Sequence, residues 1–245
     1  MEGIDILMYH QIGRFKPMKN HRATYCSINR FKQQMLYLHI FGYNVISMNE
    51  ALDILSDKKP MPKKPVVLTF DDGYENFLTY AAPVLKKYNF PAIVYIIPSL
   101  IGKKAEWLEK DNLHPSNLMT QSQILKIRKM GFDIGSHNLI HEKMEKKSFE
   151  LQTHYATESK RILEDILNEE IIHFCYPYGS HDINSLNAVE KAGYKTAVTC
   201  QKAKATNKFD LLALPRKAIS FGDSIIGFIA KLHTKNTPKN PPIKR

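Results

Sequence analysis

The sequence predicts an α/β fold, a parallel sheet or barrel of alternating strands and helices in one domain. Short apolar runs of strand type alternate along the chain with longer segments of helical periodicity. The length of 245 residues lies within the range that such barrels reach as a single unit. In folds of this kind, functional residues collect on the loops at the C-terminal ends of the strands.

The first 55 residues predict one strand and two helices. Residues 4–9 form an apolar run of strand type, and a polar, basic segment without periodicity follows to about residue 25. Ser27 is a candidate N-cap for a helix that runs to residue 41 and stops at Gly42. Ser47, with Glu50 three residues later, has the spacing of a capping box and opens a second helix that ends near residue 55.

Beyond a linker at residues 57–65, rich in lysine and proline, the alternation becomes regular. We predict strands at residues 66–70, 92–97, 132–135, 172–176, 195–199 and 212–219, and helices at residues 74–88, 121–130, 148–168, 183–192 and 224–232. Residues 1–233 therefore make up the predicted domain. Residues 234–245 contain three prolines and no apolar periodicity, which predicts a disordered basic tail.

Composition and hydropathy favour a folded cytoplasmic protein. The hydrophobic fraction of 43% and the charged fraction of 24% are close to those of globular domains. The first apolar stretch is too short for a signal peptide, and no later run approaches the length of a membrane span, so we expect neither. The three cysteines, Cys26, Cys175 and Cys200, lack the paired spacing of a zinc ribbon or a redox motif, and we expect reduced thiols.

The net charge of +11 indicates attraction to an anion: nucleic acid, a phospholipid surface or a phosphate-bearing substrate. The lysines lie mostly in short, surface-like runs and not in one basic helix interleaved with aromatic residues. We therefore expect no nucleic-acid partner, and DNA binding retained at physiological salt would contradict this expectation. Peripheral contact with a membrane surface stays open.

Two adjacent carboxylates, Asp71 and Asp72, follow the strand predicted at residues 66–70. Such a pair is costly unless a cation or hydrogen bonds compensate for the charges. Consecutive side chains diverge on an extended backbone, so one carboxylate can bind an ion while its neighbour faces a different ligand position. The alternative is an aspartate pair that forms a turn and caps the helix before Tyr74.

Two histidines four residues apart, His137 and His141, follow another predicted strand, and on one helical turn both imidazoles could face one ion. Together with Asp72 they form a set of two imidazoles and one carboxylate that leaves coordination positions free, which is typical of catalytic metal sites. A bound metal lowers the pKa of its water from 15.7 toward ~7. Asp71 is then placed to complete the deprotonation of that water.

A third stretch, Phe-Cys-Tyr-Pro-Tyr-Gly at residues 174–179, fixes a turn beyond a predicted strand. A backbone N–H of this turn can point into the site and stabilise the oxyanion that forms when water adds to an amide carbonyl. The alternative is an ordinary aromatic turn that packs on the core.

The motifs Thr-Phe-Asp-Asp-Gly, Ser-His-x-x-x-His and Tyr-Pro-Tyr-Gly, in this order and spacing, resemble those of the polysaccharide deacetylase family of NodB-homology domains, carbohydrate esterase family four. The resemblance implies a distorted (β/α)7 barrel, a divalent metal, commonly zinc, and removal of acetyl groups from chitin-like, peptidoglycan and other aminoglycan substrates. It also implies a role for each matching residue: Asp71 as the base, Asp72, His137 and His141 as metal ligands, and the Tyr178 N–H as an oxyanion donor.

The N-terminal run Ile-Leu-Met-Tyr-His at residues 6–10 resembles one branch of this family, which includes the poly-β-1,6-N-acetylglucosamine deacetylases. In that branch the C-terminal Leu-x-His motif is moved to the N-terminus by circular permutation. His10 would then be the general acid that protonates the departing amine, a task that suits a side chain with an unperturbed pKa near 6.5. A histidine that merely packs under the loop is the alternative, and His233, in a second Leu-x-His-like context, is a competing candidate.

The chain departs from the family pattern in two places. Cys175 occupies the position at which many members carry an arginine that braces the catalytic aspartate, and Arg216 is the candidate for supplying the missing positive charge. A surface arginine at a strand end is the alternative for Arg216. The family's Asp-and-Trp motif is not recognisable, since the only tryptophan, Trp107, lies in a different context.

These observations predict metal-dependent hydrolysis of the N-acetyl amide of an amino-sugar glycan or glycoconjugate, with release of acetate. The missing export signal favours a lipid-linked or nucleotide-linked sugar, whose phosphates suit the positive charge. The alternative is a catalytically impaired barrel that binds glycan without turnover, a reading that the cysteine in place of the bracing arginine supports.

Overall fold

The structure is a computed structural model that describes residues 3–16, 21–111, 116–234 and 238. Its centre is a curled sheet of eight strands, and all neighbouring strands in this sheet are parallel. Helices surround the sheet, which confirms the predicted α/β barrel in a single domain. None of the helices in the described ranges is long and apolar enough to cross a membrane.

The strands, in chain order, are β1 (Asp5–Tyr9), β2 (Gln11–Gly13), β3 (Tyr25–Ser27), β4 (Asn44–Val45), β5 (Pro65–Phe70), β6 (Ile93–Ile96), β7 (Asp133–Ser136), β8 (His173–Cys175), β9 (Thr196–Val198) and β10 (Lys217–Ala218). The large sheet has the order β10-β1-β5-β6-β7-β8-β9, with β4 paired to the start of β5. Leu214 bridges to Val198 of β9, and β10 pairs with β1. The segment that contains Leu214 and β10 therefore connects the two edges of the sheet.

The helices are α1 (Ile28–Ile40), α2 (Met48–Leu55), α3 (Ala82–Lys87), α4 (Gln121–Lys129), α5 (Phe149–Leu167), α6 (Ile183–Lys191) and α7 (Ile225–His233). The predicted N-caps are present at α1 and α2, where the Ser27 and Ser47 hydroxyls accept from backbone N–H groups three residues later. These bonds satisfy donors that a helix leaves unpaired in its first turn, and they fix where each helix begins.

Five segments differ from the prediction. β4 is a two-residue strand between the two predicted N-terminal helices, and residues 137–143 form bends in place of the helical turn expected for His137 and His141. The stretch predicted as an irregular loop after β1 contains β2 and β3, which form a small parallel sheet. The helix expected to start at residue 74 begins with a π-helical segment at Phe77–Ala81, because Pro83 has no N–H to donate to the carbonyl four residues earlier. The strand predicted at residues 212–219 is reduced to β10, since a 3-10 turn at Leu211–Ala213 and the missing N–H of Pro215 interrupt the pairing.

The tail predicted at residues 234–245 lies outside the described residues, apart from Thr234 and Pro238.

Two apolar layers hold the barrel together. The outer layer packs the outward faces of the strands, with Leu68 and Val94 as examples, against helix side chains such as Phe31. The inner layer fills the barrel with the alternate strand residues, such as Ile6 and Val67, and the buried face of α2 packs on it. Asn49 of α2 contacts His173, the first residue of β8, so α2 closes the barrel at the N-terminal ends of the strands and leaves the C-terminal ends for a site.

His173 of β8 joins the barrel to α2. Its Nε2 lies 3.0 Å from the Asn49 side-chain oxygen and its Nδ1 lies 2.7 Å from the Thr196 hydroxyl oxygen. One nitrogen can donate to the amide oxygen while the other accepts from the hydroxyl, which is the arrangement of a neutral ring. Burial lowers the pKa of His173 to about 3, so the ring stays neutral in the folded protein at neutral pH.

We therefore predict that His173 makes stability depend on pH. The unfolded chain binds a proton at the ordinary histidine pKa of about 6.5 and the folded chain does not, so this contribution is full above that pH and declines as the pH falls toward 3. Between pH 7 and pH 5, the loss in the free energy of unfolding should be ~2 kcal/mol smaller in His173→Gln than in the parent protein. Urea denaturation of the metal-free protein at both pH values measures the free energy of unfolding. His154→Gln, at an exposed position on α5, is the control, and equal losses in all three proteins would contradict the prediction.

Candidate metal centre

The residues that the sequence motifs single out gather at one end of the sheet. Each follows the C-terminal end of a strand: His10 follows β1, the aspartate pair follows β5, His137 follows β7, and Tyr178 comes three residues after β8. Because the strands are parallel, their C-terminal ends meet on the same side of the barrel. The predicted residues therefore face one common space.

Asp72, His137 and His141 converge on one point. The Asp72 Oδ1 atom lies 3.1 Å from the His137 Nε2 atom and 3.4 Å from the His141 Nε2 atom. Metal–ligand bonds of about 2.0–2.1 Å in a tetrahedral zinc site put two ligand atoms roughly 3.3 Å apart. Asp72 Oδ1 is buried and accepts no hydrogen bond from the described residues, although both imidazoles are close. A divalent cation at this point would satisfy all three groups.

The hydrogen bonds of the two imidazoles suit metal ligation. His137 Nδ1 lies 2.9 Å from the Cys175 carbonyl oxygen, which can only accept, so Nδ1 donates this hydrogen bond and Nε2 is the nitrogen that faces Asp72. His141 Nδ1 lies 3.2 Å from the Tyr178 hydroxyl oxygen. Burial lowers the pKa of His141 to about 4, and the ring is neutral at pH 7, as a metal ligand must be.

The backbone of the motifs adopts left-handed conformations that direct these side chains. Asp72 has φ 71° and Tyr178 has φ 59°, values that non-glycine residues adopt mainly where the surroundings enforce them. Gly179, which follows with φ 65°, cannot be replaced without rearrangement, because an added Cβ would lie 2.5 Å from the Cys200 nitrogen. The turn after β8 is therefore held in a fixed shape beside His141.

Asp71 forms a buried bidentate ion pair with Arg216. The Nη1 and Nη2 atoms of Arg216 lie 2.6 and 2.7 Å from the two carboxylate oxygens. Burial alone would raise the pKa of Asp71, but the Arg216 charge and its hydrogen bonds outweigh burial and hold the pKa below its ordinary value. The Asp71 carboxylate is thus ionised at neutral pH and fixed in orientation.

Arg216 precedes β10, so its charge reaches Asp71 from a different segment of the chain than the one that contains Cys175. The guanidinium also donates to the Thr199 carbonyl at 2.9 Å and to the Cys175 sulfur at 3.2 Å. Cys175, which occupies the position of the expected arginine, is therefore in direct contact with Arg216, the arginine that pairs with Asp71 in its place. The surface position considered for Arg216 is wrong, since its side chain is fully buried.

A second trio, Asp71, His137 and Cys175, also brings ligand atoms close together. Both Asp71 oxygens are bonded to Arg216, and burial raises the pKa of the Cys175 thiol, which disfavours the thiolate that a metal requires. The set of Asp72, His137 and His141 is therefore the candidate metal centre.

The two candidates for the general acid lie at opposite ends of the barrel. His10 Nε2 is 3.9 Å from Asp71 Oδ2, and the buried His10 Nδ1 has no hydrogen-bond partner among the described residues. His233 ends α7, and its Nε2 lies 3.3 Å from the Tyr43 hydroxyl, in a cleft at the N-terminal ends of the strands. The structure brings His10 to the candidate site and His233 to the other end.

Trp107 is a site residue that the sequence does not single out. Its ring centroid lies 4.2 Å from that of His141, and the Tyr178 ring lies 4.6 Å from that of His141. Trp107 packs on a small apolar cluster that includes Tyr74 and Leu118, so the segment after β6 places the indole beside His141. The one available signal is the presence of the only tryptophan on a long segment that follows the C-terminal end of a strand.

Comparison with known proteins relates this geometry to a family. A sequence profile described as polysaccharide deacetylase matches residues 58–197, a segment that contains both aspartates, His137, His141 and Tyr178. The Bacillus subtilis (strain 168) protein YxkH is 30% identical over 94% of this chain and 76% of its own length. A poly-beta-1,6-N-acetyl-D-glucosamine N-deacetylase of Staphylococcus epidermidis is 28% identical over 84% of this chain and 70% of its own length. Streptococcus pyogenes deacetylase PplD, solved in complex with acetate, matches with a TM-score of 0.81 and 28% identity over 95% of this chain and 99% of that chain.

We predict that the Tyr178 hydroxyl contributes to metal affinity by orienting His141. Tyr178→Phe keeps the ring and the backbone turn but removes the hydrogen bond to Nδ1, and loss of such a partner weakens metal binding by ~10-fold or more. Zinc titration of the metal-free protein by calorimetry measures the dissociation constant. Tyr155→Phe on α5 is the matched control, and an unchanged constant in Tyr178→Phe would show that the hydroxyl does not orient the ligand.

Proposed function

Since the chain belongs to the polysaccharide deacetylase family, we propose that it hydrolyses the N-acetyl amide of an amino-sugar glycan with the help of a divalent metal, releasing acetate. The observation that carries this proposal is the convergence of Asp72, His137 and His141 beside the ionised Asp71. Zinc is the metal we propose, because two imidazoles and one carboxylate are a ligand set that zinc uses in hydrolases.

The division of labour between the two aspartates supports the proposal. A bound divalent metal lowers the pKa of a water ligand and polarises an amide carbonyl. Asp71 accepts the proton that the attacking water loses. A carboxylate whose pKa is held below its ordinary value is a weak base, and it suffices only for water that has already been made acidic. Asp72 would then bind the metal and Asp71 would accept the proton, while Arg216 holds the Asp71 carboxylate in place.

The remaining residues act on the acyl group and the leaving amine. Addition of water to the acetyl carbonyl develops negative charge on its oxygen, toward which the Tyr178 N–H would donate a hydrogen bond. Collapse breaks the carbon–nitrogen bond, and His10 would give its proton to the departing nitrogen, so that acetate and a free amine leave. The position of His10 next to Asp71 supports this role, and that of His233 does not.

For the substrate, we propose a polymer of N-acetylglucosamine. The Staphylococcus epidermidis relative is named for poly-β-1,6-N-acetyl-D-glucosamine, and PplD was solved with acetate, the other product of deacetylation. A lipid-linked or nucleotide-linked sugar is the second candidate, which the net charge of +11 favours. A cytoplasmic location and peripheral contact with a membrane surface stay predictions from the sequence. The ion pair of Arg216 with Asp71 speaks against the glycan-binding alternative, because it provides a brace for the base.

The test is acetate release from β-1,6-linked and β-1,4-linked N-acetylglucosamine oligomers by zinc-loaded protein. We expect Asp71→Asn to bind zinc but to lose at least ~100-fold in rate, and His141→Ala to lose both zinc and activity. Asp165→Asn, an exposed substitution on α5, should match the parent protein. Zinc binding without acetate release from either oligomer would contradict the polymer substrate and direct attention to a linked sugar or to glycan binding without turnover.

We predict that His10 is needed only where the leaving group needs a proton. 4-Nitrophenyl acetate releases a stable anion, whereas an amino sugar must leave as a neutral amine. His10→Ala should therefore lose ~100-fold or more in glycan deacetylation and stay within a few-fold of the parent on the ester. His233→Ala is the matched control and should keep both rates. Equal losses on both substrates in His10→Ala would assign His10 to structure instead of proton transfer.

A further inference from the structure

A large basic cleft lies at the end of the barrel opposite the candidate metal centre. Its volume is about 1170 Å³, and it opens at the N-terminal ends of the strands, where β1 and β5 begin. Six lysines line it against only two carboxylates, Asp5 and Asp57; the lysines are Lys58, Lys59, Lys63, Lys64, Lys204 and Lys208. The cleft therefore concentrates positive charge in a concave space that the proposed hydrolysis does not use.

Only part of this charge is compensated within the protein. Lys204 pairs with the buried Asp5 at 2.9 Å, and Lys59 pairs with Asp53 at 3.1 Å. Lys58, Lys63 and Lys208 have no ion-pair partner in the part of the chain that the structure describes. Three ammonium groups thus stand in the cleft with their charge available to a ligand.

The two walls of the cleft come from separate segments. One wall is the run Lys-Lys-Pro-Met-Pro-Lys-Lys at residues 58–64, in which two prolines restrict the backbone. The other wall is the segment after β9, where the neutral side chains of Thr206 and Asn207 line the cleft next to Lys208. Lysines combined with neutral donors from two separate segments are suited to phosphate oxygens along a chain.

We propose that this cleft binds a soluble polyanion whose repeating charges are phosphate groups and which, unlike a nucleic acid, carries no bases. A concave cleft fits a chain better than it fits the flat surface of a membrane, and lysines from two separate segments can contact several phosphates at once. Since the metal centre opens at the other end of the barrel, the polyanion and a glycan can be bound together. Binding of this kind would hold the enzyme near an anionic polymer that accompanies its substrate.

Binding of labelled inorganic polyphosphate to the full chain, measured by fluorescence anisotropy without metal or glycan, tests the proposal. We expect saturable binding that weakens with salt, and at least tenfold weaker binding in the triple variant Lys58→Gln, Lys63→Gln, Lys208→Gln. The triple variant Lys103→Gln, Lys126→Gln, Lys129→Gln removes equal charge from exposed positions outside the cleft and should stay within twofold of the parent.

A steric variant separates the cleft from general charge attraction. Asn207→Trp leaves the charge unchanged but fills the cleft, and it should weaken polyphosphate binding by a similar factor. Equal losses in the two lysine variants, or full binding in Asn207→Trp, would overturn the proposal. Binding to phosphatidylglycerol vesicles but not to polyphosphate would overturn it in favour of a membrane surface. Acetate release from soluble oligomers should be unchanged in the cleft variants. Failure of polyphosphate binding and failure of the proposed hydrolysis can therefore be told apart.

Discussion

The ion pair between Arg216 and Asp71 is the interaction on which the rest of the site depends. A guanidinium with no exposed surface requires charge compensation and hydrogen bonds, and it finds both in the Asp71 carboxylate at 2.6 and 2.7 Å and in Thr69 and Thr199. These partners belong to β5 and to the end of β9. Arg216 therefore ties the irregular segment that closes the barrel to the end of β5, the strand that the two aspartates follow.

The same pair explains how two neighbouring carboxylates can coexist in a buried site. Both aspartates are about 3% exposed, and without compensation one of them would take up a proton. Arg216 compensates Asp71 from within the barrel, and the left-handed backbone at Asp72 turns the second carboxylate toward the two imidazoles. One carboxylate thus has a permanent cationic partner, whereas the other faces two imidazoles, so the two aspartates stand in different electrostatic surroundings.

The sequence predicts what local patterns determine. Short apolar runs, serine caps and the spacing of His137 and His141 depend on neighbours a few residues away, and these features agree with the structure. Contacts between distant segments have no such pattern. Arg216 lies 145 residues from Asp71, so the sequence could suggest their ion pair as a hypothesis but no local pattern could predict it. Trp107 reaches His141 only because the segment after β6 folds onto Tyr74, and no periodicity in the sequence encodes that packing.

Cys175 beside Arg216 has a consequence for how such a site can change. Many polysaccharide deacetylases carry an arginine at the position of Cys175, whereas here the Cys175 sulfur is 3.2 Å from the guanidinium that arrives from the other direction. An arginine at both positions would bury two cations against one aspartate, and an arginine at neither would leave that aspartate alone. The two arrangements are thus alternative solutions separated by unfavourable intermediates, and a lineage that has adopted one can reach the other only through coordinated replacement of both residues.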